Sequence, residues 1–578
     1  MNKIAIRVVF LCVLALLALG VFRSGVALAR ESSADDAPGS TPYTVRLPFV
    51  VTETAGTAGQ TTITLNGDAI AVSGSGVTVE GTVATITAAG SYTISGTLAD
   101  GQILVDSEDE EAVEITLNGV AITSATSAPL AILSAEETLI TLAGGSTNTL
   151  TDAATYVFPD EETDEPNAAL FSNDDLTISG SGALTVVGNY NDAISTDDNL
   201  TIEGGTITVS AVDDGLRGKD ALVITGGDIT VGAGGDGLKS DNEDDTTLGT
   251  ITISGGAFDI TAAGDGIAAE TMVTISGGDF TLLTGGGSGA TLADDASAKG
   301  IKGLVNVLIG GGTFDIDAAD DALHSNDTIT IDGGALTLAT GDDAIHADLM
   351  ITINDGAIDI TESVEGIESI LITINGGEIG IVASDDGINV AGDVAGAYHL
   401  YLHGGTIAID AEGDGIDVNG SITMTGGVVL VHGPTNQGNA AIDYDGAFDI
   451  SGGLLVAAGS AGMAQAPSVS STQNSVLVRF SGMGQGGTQA AGTLVHIQDS
   501  TGEEVVTFAP AKAYQSIVVS SADLVTGSTY TIYLGGSSTG AVSDGLYSGG
   551  TYTPGTEYAG FTVNSPVTVV GGGGSPMP

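Results

Sequence analysis

The sequence predicts an all-β solenoid, a parallel β-helix of about 22 residues per coil. Three observations predict it: 88 glycines and no tryptophan in 578 residues, short aliphatic strands that alternate inward and outward positions, and a glycine pair returning at a near-constant spacing. Between about residues 176 and 455 one unit recurs: an aliphatic strand, two glycines, a second strand, a turn carrying acids, then Gly or Ala before Leu or Ile. The first strand reads LTI at 200–202, VTI at 273–275, ITI at 329–331 and 351–353, and ITM at 422–424. Glycine pairs stand at 204–205, 226–227, 255–256, 277–278, 311–312, 333–334, 376–377, 404–405, 426–427 and 452–453, and 22 is the commonest spacing between neighbours. Coils stacked at ~4.8 Å turn equivalent positions into columns. Phe258, Phe280 and Phe314 fall in one inward column with Ile207, Ile229 and Leu336. A nonapeptide calcium repeat is excluded because Lys239 stands where that repeat has Asp and the period is not nine. A leucine-rich repeat would need an Asn ladder and a helical side, and these coils are too rich in Gly and Thr for helix.

The elements follow in order. Residues 1–29 read as a secretory signal: Lys3 and Arg7, an apolar run over 8–22, and an A-x-A site at 27–29. The alternative is an uncleaved anchor, for which the run is short of the ~20 residues a spanning helix needs. The only cysteine, Cys12, lies inside that run, so cleavage leaves a chain without thiols for disulfide, zinc or nucleophile. It also removes three bases, leaving nine against 73 acids, a net of −64. Such a chain repels nucleic acid and anionic lipid, and a divalent cation is the natural bridge to an acidic polymer. Residues 30–60 read as a lead-in, 61–459 as the β-helix, 460–571 as a β-rich cap, and 572–578 as a tail. The cap has a physical motive, because an open last coil would expose a pairing edge.

The turn motif, laid in register, places an acid at Asp192, Asp214, Asp236, Asp265, Asp321, Asp343, Glu365, Asp386 and Asp414, with Lys299 and Ala440 the exceptions. Second acids precede it at Asp213, Asp320, Asp342 and Asp385. Like charges ~4.8 Å apart repel by ~1 kcal/mol in water and more when partly desolvated, so the column needs counter-ions. Three residues on, an outward column reads Ser195, Arg217, Lys239, Ala268, Lys302, His324, His346, Glu368, Asn389 and Asp417. Its cations suit an extended polyuronate; the alternative is that each neutralises its acidic neighbours. Arg217, Lys239, Lys302, His324 and His346 are therefore the candidate ligand-binding residues. Excess residues fall around 242–248, 285–297, 391–396 and 432–438, all in turns, and solenoid insertions gather on the rim of the functional face.

The turns DDGL, GDGL and GDGI, the SGG and TGG corners, the insertion KSDNEDDTT and the late stretches AQAPSVSSTQNSVLV and SDGLYSGGTYTPGTEY resemble one family. It is the secreted bacterial carbohydrate-binding domain family with a right-handed parallel β-helix, related to the calcium-dependent pectate lyases. The resemblance runs from about residue 61 to 571. It implies calcium (Ca2+) in the acidic turns, binding of cellulosic and pectic polysaccharide, and no established catalysis. It marks Asp213, Asp214, Asp236, Asp241, Asp265, Asp320 and Asp321 as calcium ligands, and the doubled acids Asp342 and Asp343 join them. The absence of tryptophan departs from a flat platform for crystalline cellulose, so a soluble acidic polymer fits better.

The expectation is thus a secreted, monomeric, calcium-binding, non-catalytic carbohydrate-binding protein whose partner is an extracellular polysaccharide. A calcium-dependent polysaccharide lyase with Lys239 or Lys302 as base is the first alternative. A surface adhesin whose acids serve only stability is the second. No Ser/His/Asp set, phosphate loop or zinc site is visible in the sequence: His324 and His346 stand one per coil, ~4.8 Å apart at the backbone, with no cysteine partner, and a transition-metal pair there is the alternative.

Overall fold

A computed structural model describes residues 60–571 apart from 159, 161–162, 294–295, 393–397 and 481–486. The signal, lead-in and tail lie outside the described residues. All regular structure among the described residues is strand. The strands form a β-helix-like solenoid with three faces per coil. The narrow face is built of short strands such as Leu216–Gly218, Leu238–Ser240 and Ile267–Ala269, in one 16-stranded sheet that is parallel apart from its first pair. The middle face has four-residue strands such as Ala221–Ile224 and Thr250–Ile253, and the wide face six-residue strands such as Asp228–Ala233 and Ala257–Ala262. These two faces merge near the N-terminal end, because Val113–Thr123 pairs with both Thr138–Leu142 and Thr147–Thr151.

Alternation decides what each strand buries. In Asp228–Ala233 the side chains of Ile229 and Val231 are buried and their neighbours face out. The inward column runs Ile207, Ile229, Phe258, Phe280, Phe314, Leu336 in register. Its three phenylalanine rings stack at 4.5 and 4.7 Å, almost parallel. The glycine pairs make the corner between middle and wide faces. Their second members adopt φ of +111° at Gly227 and +114° at Gly312, a region L side chains avoid. After the acid turn the reason for glycine at 237 is space: a Cβ there would lie 2.6 Å from the carbonyl oxygen of Gly266.

The last wide-face strand, Leu454–Gly459, pairs antiparallel with Ser516–Ser520 instead of with another coil. Beyond it a six-stranded sheet that includes Val495–Asp499, Thr529–Ser538 and Tyr552–Thr562 completes the C-terminal region around a core of Val495, Ile497, Phe508, Tyr530 and Ile532, which Leu430, Val456 and Ala458 of the last coils join. That region clasps the solenoid by polar contacts. Lys512 pairs with Glu412 at 2.9 Å, and the Ala511 amide donates to His432 Nδ1 at 3.0 Å.

Candidate functional site

The four predicted insertions adjoin narrow-face strands along the chain, residues 294–295 and 393–396 of them lying outside the described residues. Those at 242–248 and 391–396 follow Leu238–Ser240 and Ile388–Val390, and those at 285–297 and 432–438 precede Ile301–Gly303 and Asp443–Tyr444. The same face carries the charges. Strand register sets Ser195, Arg217, Lys239, Ala268, Lys302, His324, His346, Glu368, Asn389, Asp417 and Asp443 side by side. They point outward because the flanking residues, Leu216 and Gly218 for Arg217, turn into the core.

The acid column beside it uses its two oxygens for two purposes. One oxygen accepts the backbone N–H of the next rung. Asp236 N donates to Asp214 Oδ1 at 2.8 Å, Asp265 N to Asp236 Oδ1 at 2.8 Å, Lys299 N to Asp265 Oδ1 at 2.7 Å, and Asp343 N to Asp321 Oδ1 at 3.1 Å. Lys299 and Ala440, the two exceptions to the acid pattern, fit for this reason: the donor is main chain, so any residue can occupy the receiving rung.

The other oxygen meets the cation column. Lys239 Nζ lies between Asp214 and Asp236 at 3.0 and 3.1 Å, Lys302 sits 3.3 Å from Asp265, and Lys299 contacts Asp320 at 2.7 Å and Asp321 at 2.9 Å. Arg217 Nε reaches both oxygens of Asp241 at 3.0 Å, and its Nη1 donates to Ser195 Oγ at 3.1 Å. His324 Nδ1 is 2.7 Å from Asp321 Oδ2, and His346 Nδ1 is 3.4 Å from Asp343 Oδ2. Each cation expected to await a polymer is therefore already paired within the protein.

Electrostatics follow from this pairing. Burial would raise the Asp321 carboxyl, but the His324 hydrogen bond and the Lys299 charge outweigh it and bring it down to about 2. Burial works against the Lys239 ammonium, yet Asp236 and Asp214 push its pKa well up, so it stays protonated. Burial also lifts Asp214 and Asp236 despite Lys239, since both are largely withdrawn from water.

Past His346 the outward column changes sign while the acid column continues. Asp343, Glu365 and Glu368 bring ligand oxygens within 4.8 Å of one another, as do Asp386, Asp414 and Asp417. No lysine or arginine counters the second trio among the described residues. Burial, then the charge of Asp414, lifts Asp386 to about 7; burial lifts Asp414 to about 6; burial, Asp321 and Glu368 lift Asp343 to about 9. Between the trios lies Asn389, 8% exposed. Its Nδ2 donates to Glu365 at 2.9 Å and Glu368 at 3.3 Å, which fixes the amide orientation and leaves Oδ1 buried without a partner.

A calcium ion wants six to eight hard oxygens. The residues fit unevenly. Asp236, Asp241 and Asp265 are held by cations and join no three-acid group, whereas Asp213 and Asp214 gather with Asp192, and Asp320, Asp321 and Asp342 form another trio beside Lys299. The all-oxygen set at Asp386, Asp414 and Asp417, beside the orphaned amide oxygen of Asn389, is the better match. Asp417 was visible in the outward column and Asp386 and Asp414 in the acid column. The signal that joins them is the coincidence of an acid in both columns on one coil.

Residues 80–344 match the family described as "Carbohydrate-binding domain-containing protein". A protein of that description from Acetivibrio thermocellus is 52% identical over 126 residues, which is 22% of this chain and 44% of that protein. The chain thus spans less than half the length of the curated relative it matches. A solved structure described as the polysaccharide lyase-like protein from C. thermocellum, gadolinium derivative, is similar at 39% identity, covering 43% of this chain and 96% of that one with a TM-score of 0.40. By the family match, a long internal part of the chain, including the ladder from Asp192 to Asp343, is similar to carbohydrate-binding domain proteins.

Proposed function

We propose that the protein is a secreted, calcium-binding, non-catalytic carbohydrate-binding protein that holds cellulosic or pectic (polyuronate) polysaccharide along the narrow face. The observation that carries the reading is the family match over residues 80–344, which takes in the paired half of the ladder. The right-handed coil of about 22 residues, export through residues 1–29 and a monomeric state belong to the same reading. An acidic polymer gains little from cations already neutralised by the protein, so its carboxylates are held through calcium on the unpaired acids Asp386, Asp414 and Asp417, with Arg217, Lys239, Lys302, His324 and His346 as hydrogen-bond donors along the row. Binding without cleavage is supported by Lys239, which two carboxylates keep protonated and unable to take a proton from a uronate.

Affinity electrophoresis in gels containing polygalacturonate or soluble cellulose derivatives tests this. Retardation that depends on calcium and is released by chelator is expected, with no ultraviolet-absorbing unsaturated product on incubation with polygalacturonate. Equal mobility in all gels overturns the binding role. A steady, protein-proportional rise in absorbance makes the protein a lyase.

A further inference from the structure

We propose that His324, His346 and Asp321 form a binding site for a divalent transition metal of the zinc class, a second use of side chains that the calcium and carbohydrate readings also name, and one that requires neither reading. Their ligand atoms lie within 4.8 Å of one another. His324 Nδ1 is 2.7 Å and His346 Nδ1 3.7 Å from the same oxygen, Asp321 Oδ2. The two rings meet edge to face, 5.2 Å apart at 77°, so two imidazoles from successive strands direct the same nitrogen to one point.

The opposite nitrogen of His324 is hydrogen-bonded as it is in metal sites, and that of His346 stands within ion-pair reach of a carboxylate. His324 Nε2 lies 3.0 Å from Asn326 Oδ1, and His346 Nε2 3.6 Å from Asp348 Oδ1. An imidazole whose Nε2–H is held by an oxygen presents its Nδ1 lone pair when neutral, the arrangement in which ligating histidines are found. Asp343 Oδ2, 3.4 Å from His346 Nδ1, supplies a nearby fourth donor.

Charge favours a dication. Asp320, Asp321 and Asp342 surround a single lysine, Lys299, so the surroundings stay net negative when both imidazoles are neutral. Lys299 shares Asp321 Oδ2 at 2.9 Å but holds Asp320 at 2.7 Å, so it retains a partner when a metal takes the shared oxygen. Two nitrogens and a carboxylate select zinc, cobalt, nickel or copper over calcium and magnesium, which prefer oxygen alone. His346 also lines an open cavity of about 490 Å3 with Asp348 and Glu368, which gives an ion a path in. Three protein ligands leave coordination positions for water.

The test is zinc chloride titrated into the full chain in the presence of millimolar calcium, followed by calorimetry and by imidazole NMR. One zinc equivalent is expected, with the ring resonances of two of the six histidines shifting and the other four unmoved. His324→Gln or His346→Gln should each weaken binding by about 10-fold or more, while His403→Gln leaves it unchanged. NMR on the unmutated chain keeps the test valid if a variant folds poorly. Zinc that shifts no histidine resonance, that calcium displaces completely, or that binds His324→Gln and His346→Gln as tightly as the parent overturns the proposal.

Discussion

From Asp192 to His346 the ladder carries its own counter-charges; from Glu368 to Asp443 the same rungs carry almost none. The backbone is alike in both halves, with parallel short strands and a carboxylate oxygen accepting the next rung's N–H, as Asp236 takes Asp265 and Asp386 takes Asp414. Only the outward residue three positions on differs: Lys239, Lys302 or His346 in one half, Glu368, Asn389 or Asp417 in the other. The hydrogen bond to the next rung is a property of the fold, whereas neutralising the remaining oxygen is left to sequence or to solution ions. A β-solenoid can thus repeat its main-chain design while changing what its surface demands.

The largest expected effect lies in the paired half. Lys299→Ala leaves Asp320 without its lysine and the buried Asp321 with only the His324 and His346 imidazoles, and should cost about 3 kcal/mol, read from the urea midpoint. A loss under about 1 kcal/mol would mean that ions from solution already serve both halves.

The pH response draws on both halves, since burial also lifts Asp192 to about 7 and Asp343 to about 9. Asp386, lifted to about 7, and Asp414, lifted to about 6, bind protons more tightly folded than unfolded. Their contribution is complete below about pH 4, the unfolded value, and is lost as pH rises through 6 to 7. Asp321, lowered to about 2, acts in the opposite sense: its contribution is present above about pH 4 and is lost as pH falls toward 2. Without calcium the chain should therefore melt at a higher temperature at pH 5 than at pH 8. Equal melting temperatures would show the unpaired acids to be better solvated than their burial indicates.

Much of this was legible in the residues. The recurring aliphatic strands and glycine pairs give parallel faces, and the spacing from Ser195 to Asp417 sets the outward column in the order the strands adopt. The inward Phe258, Phe280 and Phe314 follow from the same alternation. Less legible was where long side chains would turn. Lys239 and Arg217 sit at outward positions, and only packing shows that they fold back onto Asp214, Asp236 and Asp241. The orphaned Asn389 oxygen was also hidden, because it depends on which way an amide faces its neighbours.

Thermal melting with saturating calcium and with excess chelator, run on the parent chain and on an Asp386→Asn, Asp417→Asn double variant, tests the central claim most directly. The account predicts that calcium raises the parent's melting temperature by a few degrees, as an ion at about 100 times its Kd adds about 2.7 kcal/mol, and that the double variant loses most of this response. Identical melting of the parent in both conditions, or an undiminished calcium response in the variant, would contradict it.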